Sequence, residues 1–360
     1  MRVAADARLM TGNPRGMGHY ARAMLEPISD NVIALLPRGK EANGFSMRSS
    51  GAGFFPWWEQ VVMPEQAQRC GATHLFCPNN TGPIGRTGSI HTILVVHDLI
   101  FLHSLRELGA SPSAYQNLGR VYRRYVVPKA AQHADTLVTV SEYTRNELCE
   151  RFGLKAERVR VIPNSIDREW FVEKPLLDSQ RKPYLLSVSG EAPSKNILGL
   201  IRAFAVMRNE GIGRDLTLRI VGVKPQFQST FRLEATRLGL EKKVHFDGFL
   251  TQEQLMEAYR KAWAFVLPSL FEGFGIPLLE AMASGTPVAC SNTTSLPGVA
   301  GSAAKLFDPR DTRDMAEVMA AVVEPEKSRL EQAQHGLEQA EKFCRESANE
   351  KVSQFWRALE

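Results

Sequence analysis

The 360-residue sequence predicts a two-domain α/β protein, each domain a doubly wound parallel sheet with helices on both faces. Three observations predict it. The chain is longer than one hydrophobic core usually holds. Short β-branched or aliphatic runs alternate with longer helical stretches, in two series of about six. A polar segment with two prolines, FVEKPLLDSQRKP, separates the series.

In the first half the strand-like runs are Arg2–Ala5, Val32–Leu36, Thr73–Cys77, Thr92–Val96, Thr136–Val140 and Val159–Ile162. In the second half they are Tyr184–Val188, Thr217–Val221, Val244–Phe246, Ala264–Leu267, Pro287–Ala289 and Lys305–Phe307. The boundary is expected within Glu169–Pro183, giving domains over 1–172 and 183–335. From about Ser328 the chain reads as helix, with Leu337, Ala340, Phe343, Val352, Phe355 and Trp356 at three- to four-residue spacings. The segment 336–360 is therefore expected to dock as a terminal helix.

Composition limits the function classes. Apolar residues make up 44% and charged residues 23%, an ordinary globular mixture. The five cysteines form no Cys-x-x-Cys, which fits reduced thiols and offers no zinc site. The N-terminal MRVAADARLM is too polar for a signal peptide, and the longest apolar run, Ile93–Leu102, is broken by His97 and Asp98. A cytoplasmic protein is expected, with peripheral contact to the inner face of the cell membrane as its furthest reach. The net charge of +5 lies wholly within residues 1–175. Arg120, Arg123, Arg124 and Lys129 crowd one stretch, interleaved with Tyr122, Tyr125 and Val126. That stretch is either a solvated helix face or a patch for anionic lipid or an anionic acceptor. No nucleic-acid-binding motif accompanies the charge.

The most informative segment is LPSLFEGFGIPLLEAMASGTP, Leu267–Pro287. A strand ends near Leu267, a loop with two glycines follows, and Pro277 opens a helix that stops at Gly285. Such a loop delivers a helix N-terminus to the carboxyl edge of a parallel sheet, where free N–H groups favour an anion. Glu272 lies in the loop and Glu280 eight residues on, expected in the first helical turn, where a carboxylate also suits the helix dipole. Ionised carboxylates accept paired hydrogen bonds and suit vicinal sugar hydroxyls.

Three other segments end a strand with chemically useful residues. YLLSVSGEAPSKN, Tyr184–Asn196, brings Lys195 to the start of a helix. LMTGNPRGMGHY, Leu9–Tyr20, is a glycine-rich first loop lacking the tight spacing of a dinucleotide site. In VVHDL, His97 closes an apolar strand at the sheet edge where ligands bind in such folds. No Asp-x-Asp occurs, so no divalent-metal clamp is expected.

FEGFGIPLLEAMASGTPV, with SNTTSLPGVAGSAAKLFDP, VSEYTRNEL and VIPNSID, resembles the retaining glycosyltransferases of family 4, which have the GT-B fold. The resemblance implies two Rossmann-like domains facing each other across a cleft. It implies that Glu272 contacts the donor hexose near the reacting carbon and that Glu280 holds the nucleotide ribose. Phe274, Gly275 and Ile276 would present backbone groups to the donor, with Asn164 of VIPNSID and Lys195 also donor-binding. The family places an Arg five residues before this Lys; here that position is Gly190, a departure in the phosphate shell. Helix N–H groups or Arg15 are the candidates to make up that charge. Gly16 and Gly18 would face the diphosphate, with Arg15, His19 and Asp98 on the acceptor side. His97 would hydrogen-bond the donor hexose, so His97, Glu272 and Lys195 form the expected catalytic group. The expected reaction transfers a hexose from a nucleotide-sugar, GDP-mannose favoured, to a saccharide or lipid-linked acceptor. It needs no cofactor and no metal. Other readings of the same fold are a non-catalytic nucleotide-sugar-binding partner or an epimerase.

Overall fold

The computed structural model describes residues 1–12, 16–51, 54–109, 114–323 and 325–360. Among them, thirteen strands form two wholly parallel sheets. In the first, β1 (Val3–Asp6), β2 (Val32–Leu36), β3 (Ser46–Ser49), β4 (His74–Cys77), β5 (His91–Val96), β6 (Thr136–Thr139) and β7 (Val159–Val161) run in the order 3-2-1-4-5-6-7. In the second, β8 (Tyr184–Val188), β9 (Thr217–Val221), β10 (Val244–Gly248), β11 (Ala264–Leu267), β12 (Val288–Ser291) and β13 (Lys305–Phe307) run in the order 10-9-8-11-12-13. Each is the strand order of a doubly wound dinucleotide-type fold.

Burial explains why the central strands read so clearly. The residues of β1, β4, β11 and β12 are all buried, because helices cover both faces of the sheet. The edge strand β3 has no such signature: its SMRS is exposed throughout, and no apolar run marked it. The first core gathers Trp58, Leu75, Phe101, Val127 and Leu137; the second gathers Leu185, Phe204, Ile220, Val266, Phe307 and Met319.

The helices used below are α1 (Gly16–Leu25), α2 (Ala114–His133), α3 (Glu142–Phe152), α4 (Ile197–Asn209), α5 (Gln252–Lys261), α6 (Ile276–Ala283), α7 (Thr312–Val323), α8 (Glu326–Glu341) and α9 (Arg345–Arg357). Their ends follow local chemistry. Ser141 caps α3 by accepting from the Thr144 N–H, and Gly153, at φ +63°, ends it. Thr251 and Gln254 form a capping box at α5.

The chain divides into two compact units: residues 1–102, 118–165 and 345–360, and residues 103–117 and 166–344. The division falls at Ser165, ahead of the proline-containing segment expected to hold it. The terminal stretch expected as one helix is two. The chain breaks at 342–344, where the Ile166 N–H donates to the Phe343 carbonyl and Ile166 bridges Cys344. α8 therefore belongs to the second unit and α9 to the first. There Trp356 donates from Nε1 to the Met24 carbonyl at 2.6 Å and meets the Phe76 ring edge-on.

Candidate active site

In the second sheet the order reverses between β8 and β11, so the loops after these strands flank the crevice where ligands bind in doubly wound folds. The two loops are stitched together by the Leu270 N–H donating to the Ser194 carbonyl at 2.7 Å. The short 3₁₀ turn Pro193–Lys195 carries Lys195, whose Nζ lies 2.7 Å from Glu272 Oε1. The Ser269 hydroxyl donates to the same oxygen at 2.7 Å. The sequence-predicted Lys195 and Glu272 are thus brought together, with both side chains part-exposed.

The loop after β12 holds Glu272 from behind. The Glu272 N–H donates to Thr294 Oγ1 at 3.1 Å, and Thr294 sits at φ +57°. Ser295 Oγ donates to the carbonyls of Glu272 and Phe274. Neither Thr294 nor Ser295 was given a role from sequence, since SNTTS entered only as part of a segment resembling the family and reads locally as a polar turn.

α6 starts at Ile276, with Pro277 in its first turn and Gly275 before it at φ +104°. A Cβ on Gly275 would lie 2.5 Å from Leu296 Cδ2, so only glycine fits without rearrangement. At the start of α6 Pro277 has no N–H and the Leu278 N–H donates to the Gly275 carbonyl at 2.9 Å, so the Ile276 N–H and the positive end of the helix dipole are what this terminus offers an anion. The Phe274 side chain is buried, edge-on to Phe343. Glu280 is the fifth residue of α6, not in its first turn as expected, so the helix dipole does not account for it. Its Oε2 accepts from the Tyr259 hydroxyl at 2.8 Å. Burial pushes this carboxyl up to about 7 against the opposing effect of that hydrogen bond. Tyr259, on α5, had no sequence signal, because an amphipathic helix accommodates a buried tyrosine on packing grounds alone.

Gly190 faces open space: nothing lies within 4 Å of a Cβ placed there. The departure from the family pattern is therefore not forced by crowding. Nearby, Glu191 is paired with Lys224 at 3.4 Å. Segment 103–109 also belongs to this unit, with the His103 ring 4.7 Å from that of Phe271. Gly109, at φ +70°, lies where a Cβ would come within 2.8 Å of Pro193. Sequence reasoning missed this strap.

The first unit has its own reversal, between β1 and β4. His97 lies buried just beyond β5, where its N–H donates to Asn80 Oδ1 and its Nε2 lies 2.8 Å from the Pro78 carbonyl. A carbonyl only accepts, so Nε2 carries the proton and Nδ1 the lone pair. Burial lowers the ring's pKa to about 4, which keeps it neutral. Tyr20 of α1 meets the His97 ring at 5.0 Å and donates to the Ile162 carbonyl, joining α1, the end of β5 and the loop after β7. Asn164 is buried in that last loop. Gly16 and Gly18 are helical residues of α1; the positive-φ glycine of the first loop is Gly12. His19 is exposed on α1, and Arg15 lies outside the described residues. Asp98 Oδ1 accepts from the Ile100 N–H, a local turn contact. Also missed was a buried charge cluster at the end of β1: Arg8 pairs with Asp6 and Glu59, and Glu59 accepts from Thr81 and Tyr122.

A family model described as Glycosyltransferase Family 4 matches residues 66–170, and one described as Glycosyl transferases group 1 matches residues 169–339. The chain belongs to the family 4 glycosyltransferases. It is 34% identical over 266 residues to the serotype-specific mannosyltransferase WbdA of Escherichia coli, covering 70% of this chain and 31% of that protein. It is 30% identical to the O-antigen chain mannosyltransferase RfbU of Salmonella typhimurium, covering 62% of this chain and 60% of that one. The chain thus spans less than two thirds of the length of either relative. Among solved structures, Anabaena HepE in complex with UDP and glucose superposes with a TM-score of 0.76 at 17% identity, over 99% of each chain. That likeness is one of fold, and the two Rossmann-like units are those of GT-B glycosyltransferases.

Proposed function

We propose that this glycosyltransferase moves a hexose, with mannose from GDP-mannose as the favoured donor, onto a saccharide or lipid-linked acceptor, with retention and without a divalent metal. The observation that carries this reading is the Lys195–Glu272 pair beside the N-terminus of α6. A donor diphosphate offers Lys195 a doubly anionic partner, and the Ile276 N–H and the α6 dipole add fixed positive charge where leaving-group charge develops. Glu272, released by Lys195 but still held by Ser269 and Thr294, then accepts from hexose hydroxyls. Glu280 takes the ribose hydroxyls. The bond between the anomeric carbon and the diphosphate oxygen breaks, the acceptor oxygen bonds that carbon on the same face, and the acceptor proton passes to the departing phosphate. His97, neutral and with Nε2 occupied, meets substrate through Nδ1 rather than acting as a charged acid.

The names of WbdA and RfbU favour mannose and a surface-polysaccharide acceptor. No helix among the described residues is long and apolar enough to cross a membrane. Calorimetric titration with GDP, UDP, dTDP and ADP, followed by transfer assays with the matching sugars, tests the reading. GDP should bind tightest. Lys195→Ala should lower turnover by roughly a hundredfold, as loss of one leaving-group contact does. Binding of none of the four nucleotides would remove the donor assignment, and wild-type turnover in Lys195→Ala would remove its role.

A further inference from the structure

α2 carries a surface that the transfer chemistry does not use. Its outward stripe runs Leu118, Val121, Tyr125 and Lys129, spaced three to four residues apart. Leu118 is 72% exposed, Val121 65% and Tyr125 58%. Lys129 Nζ lies 3.5 Å over the Tyr125 ring. Arg120, Arg123 and Arg124 flank the stripe, and the twenty residues of α2 include no Asp or Glu. The three guanidiniums are close neighbours: after burial, Arg124 and Arg123 are what lower the Arg120 pKa. Arg124 is held to the carbonyls of Phe101 and Leu102.

A second apolar stripe lies on the helical stretch 55–69, which is fastened to α2. The Phe55 and Tyr122 rings meet at 5.1 Å, and the Tyr122 hydroxyl bonds both Glu59 and Gln60. On the outer side of that stretch Phe54 is 69% exposed and Trp57 56%, with Val61 exposed one turn further on. Single exposed apolar residues are ordinary. Six of them, three aromatic (Phe54, Trp57 and Tyr125), on two joined helical stretches of which α2 carries only basic charge, are not scattered.

We propose that this face of the first unit docks on a bilayer surface containing anionic lipid. The apolar side chains enter the headgroup boundary, where tyrosine and tryptophan are at home, and the arginines and Lys129 meet lipid phosphates. A soluble anionic partner would match the charges but would give no reason for Leu118, Val121, Phe54 and Trp57 to face outward.

The proposal is independent of the transfer reading, because vesicle binding needs neither donor nor acceptor. The purified full chain is sedimented with phosphatidylcholine vesicles and with vesicles that also contain phosphatidylglycerol. It should follow the anionic vesicles, stay in solution with the neutral ones, and be released as salt is raised. Trp57 is the one strongly exposed tryptophan of the five, so its emission should shift to the blue on anionic vesicles and be quenched by brominated acyl chains. Trp57→Phe should lose that change. Replacing Leu118, Val121 and Tyr125 together by Gln, or Arg123 and Lys129 by Glu, should lower partitioning roughly tenfold or more. Equal sedimentation with neutral and anionic vesicles, no sedimentation with either, or binding without a change at Trp57 would overturn it. So would wild-type partitioning in both multiple variants. The wild-type quenching measurement decides the matter even if a variant fails to fold.

Discussion

If Glu280 holds the donor ribose as proposed, its carboxyl couples donor binding to pH. Its carboxyl is pushed up to about 7 by burial, and Tyr259 donates to it. A carboxylic acid accepts hydrogen bonds more weakly than a carboxylate, so ribose hydroxyls select the ionised form. Because the pKa is raised, the ionised fraction grows as pH climbs from 6 to 8, and affinity should grow with it. GDP-mannose is the suitable probe, since its diphosphate has no ionisation in that window. Calorimetry should show its affinity rising severalfold between these limits for the wild type and staying flat for Glu280→Gln. An equal rise in both proteins would show that another group titrates. Lys195 and Glu272 were legible in the sequence because a polar residue in a small-residue loop after a strand has few structural reasons to be there. Tyr259, Thr294 and Ser295 were not, because nothing local separates a tyrosine that holds a carboxylate from one that fills a core. That His97 Nε2 is tied to the Pro78 carbonyl was also beyond the sequence, since that carbonyl comes from another strand's loop.

At the scale of elements, α6 depends on one glycine. Gly275 combines φ +104° with the close approach of Leu296, so an Ala there meets both backbone strain and contact. Gly275→Ala should cost about 1–3 kcal/mol in denaturant unfolding and weaken nucleotide binding in parallel. A variant of full stability and full affinity would mean that the loop before α6 is neither strained nor used. The central strands were read correctly because two-sided burial writes an unbroken apolar run. The edge strand β3 escaped notice because exposure on an edge leaves SMRS polar. The break between α8 and α9 escaped because Phe343 and Cys344 keep the helical spacing while their backbone turns to meet Ile166.

At the scale of the molecule, the chain's end completes its beginning. Trp356 is buried against Phe76 and bonded to the Met24 carbonyl, so the first unit contains α9 although the whole second unit intervenes in sequence. Trp356→Ala should destabilise that unit by about 3–5 kcal/mol, the usual cost of emptying a buried tryptophan site. Denaturant unfolding followed by hydrogen exchange should show the loss in β1–β7 with β8–β13 unaffected. No periodicity announces such a return, because the apolar spacing of a helix does not say which core receives it. The two-sheet architecture was legible; the assignment of 103–117 to the second unit and 345–360 to the first was not.

On the proposed reading a nucleoside diphosphate lodges between the β8 and β11 loops at the start of α6. Hydrogen exchange of the full chain with and without saturating GDP tests it most directly. Protection concentrated in residues 189–197 and 271–281 is the predicted result. Protection confined to other segments while GDP is demonstrably bound would contradict it.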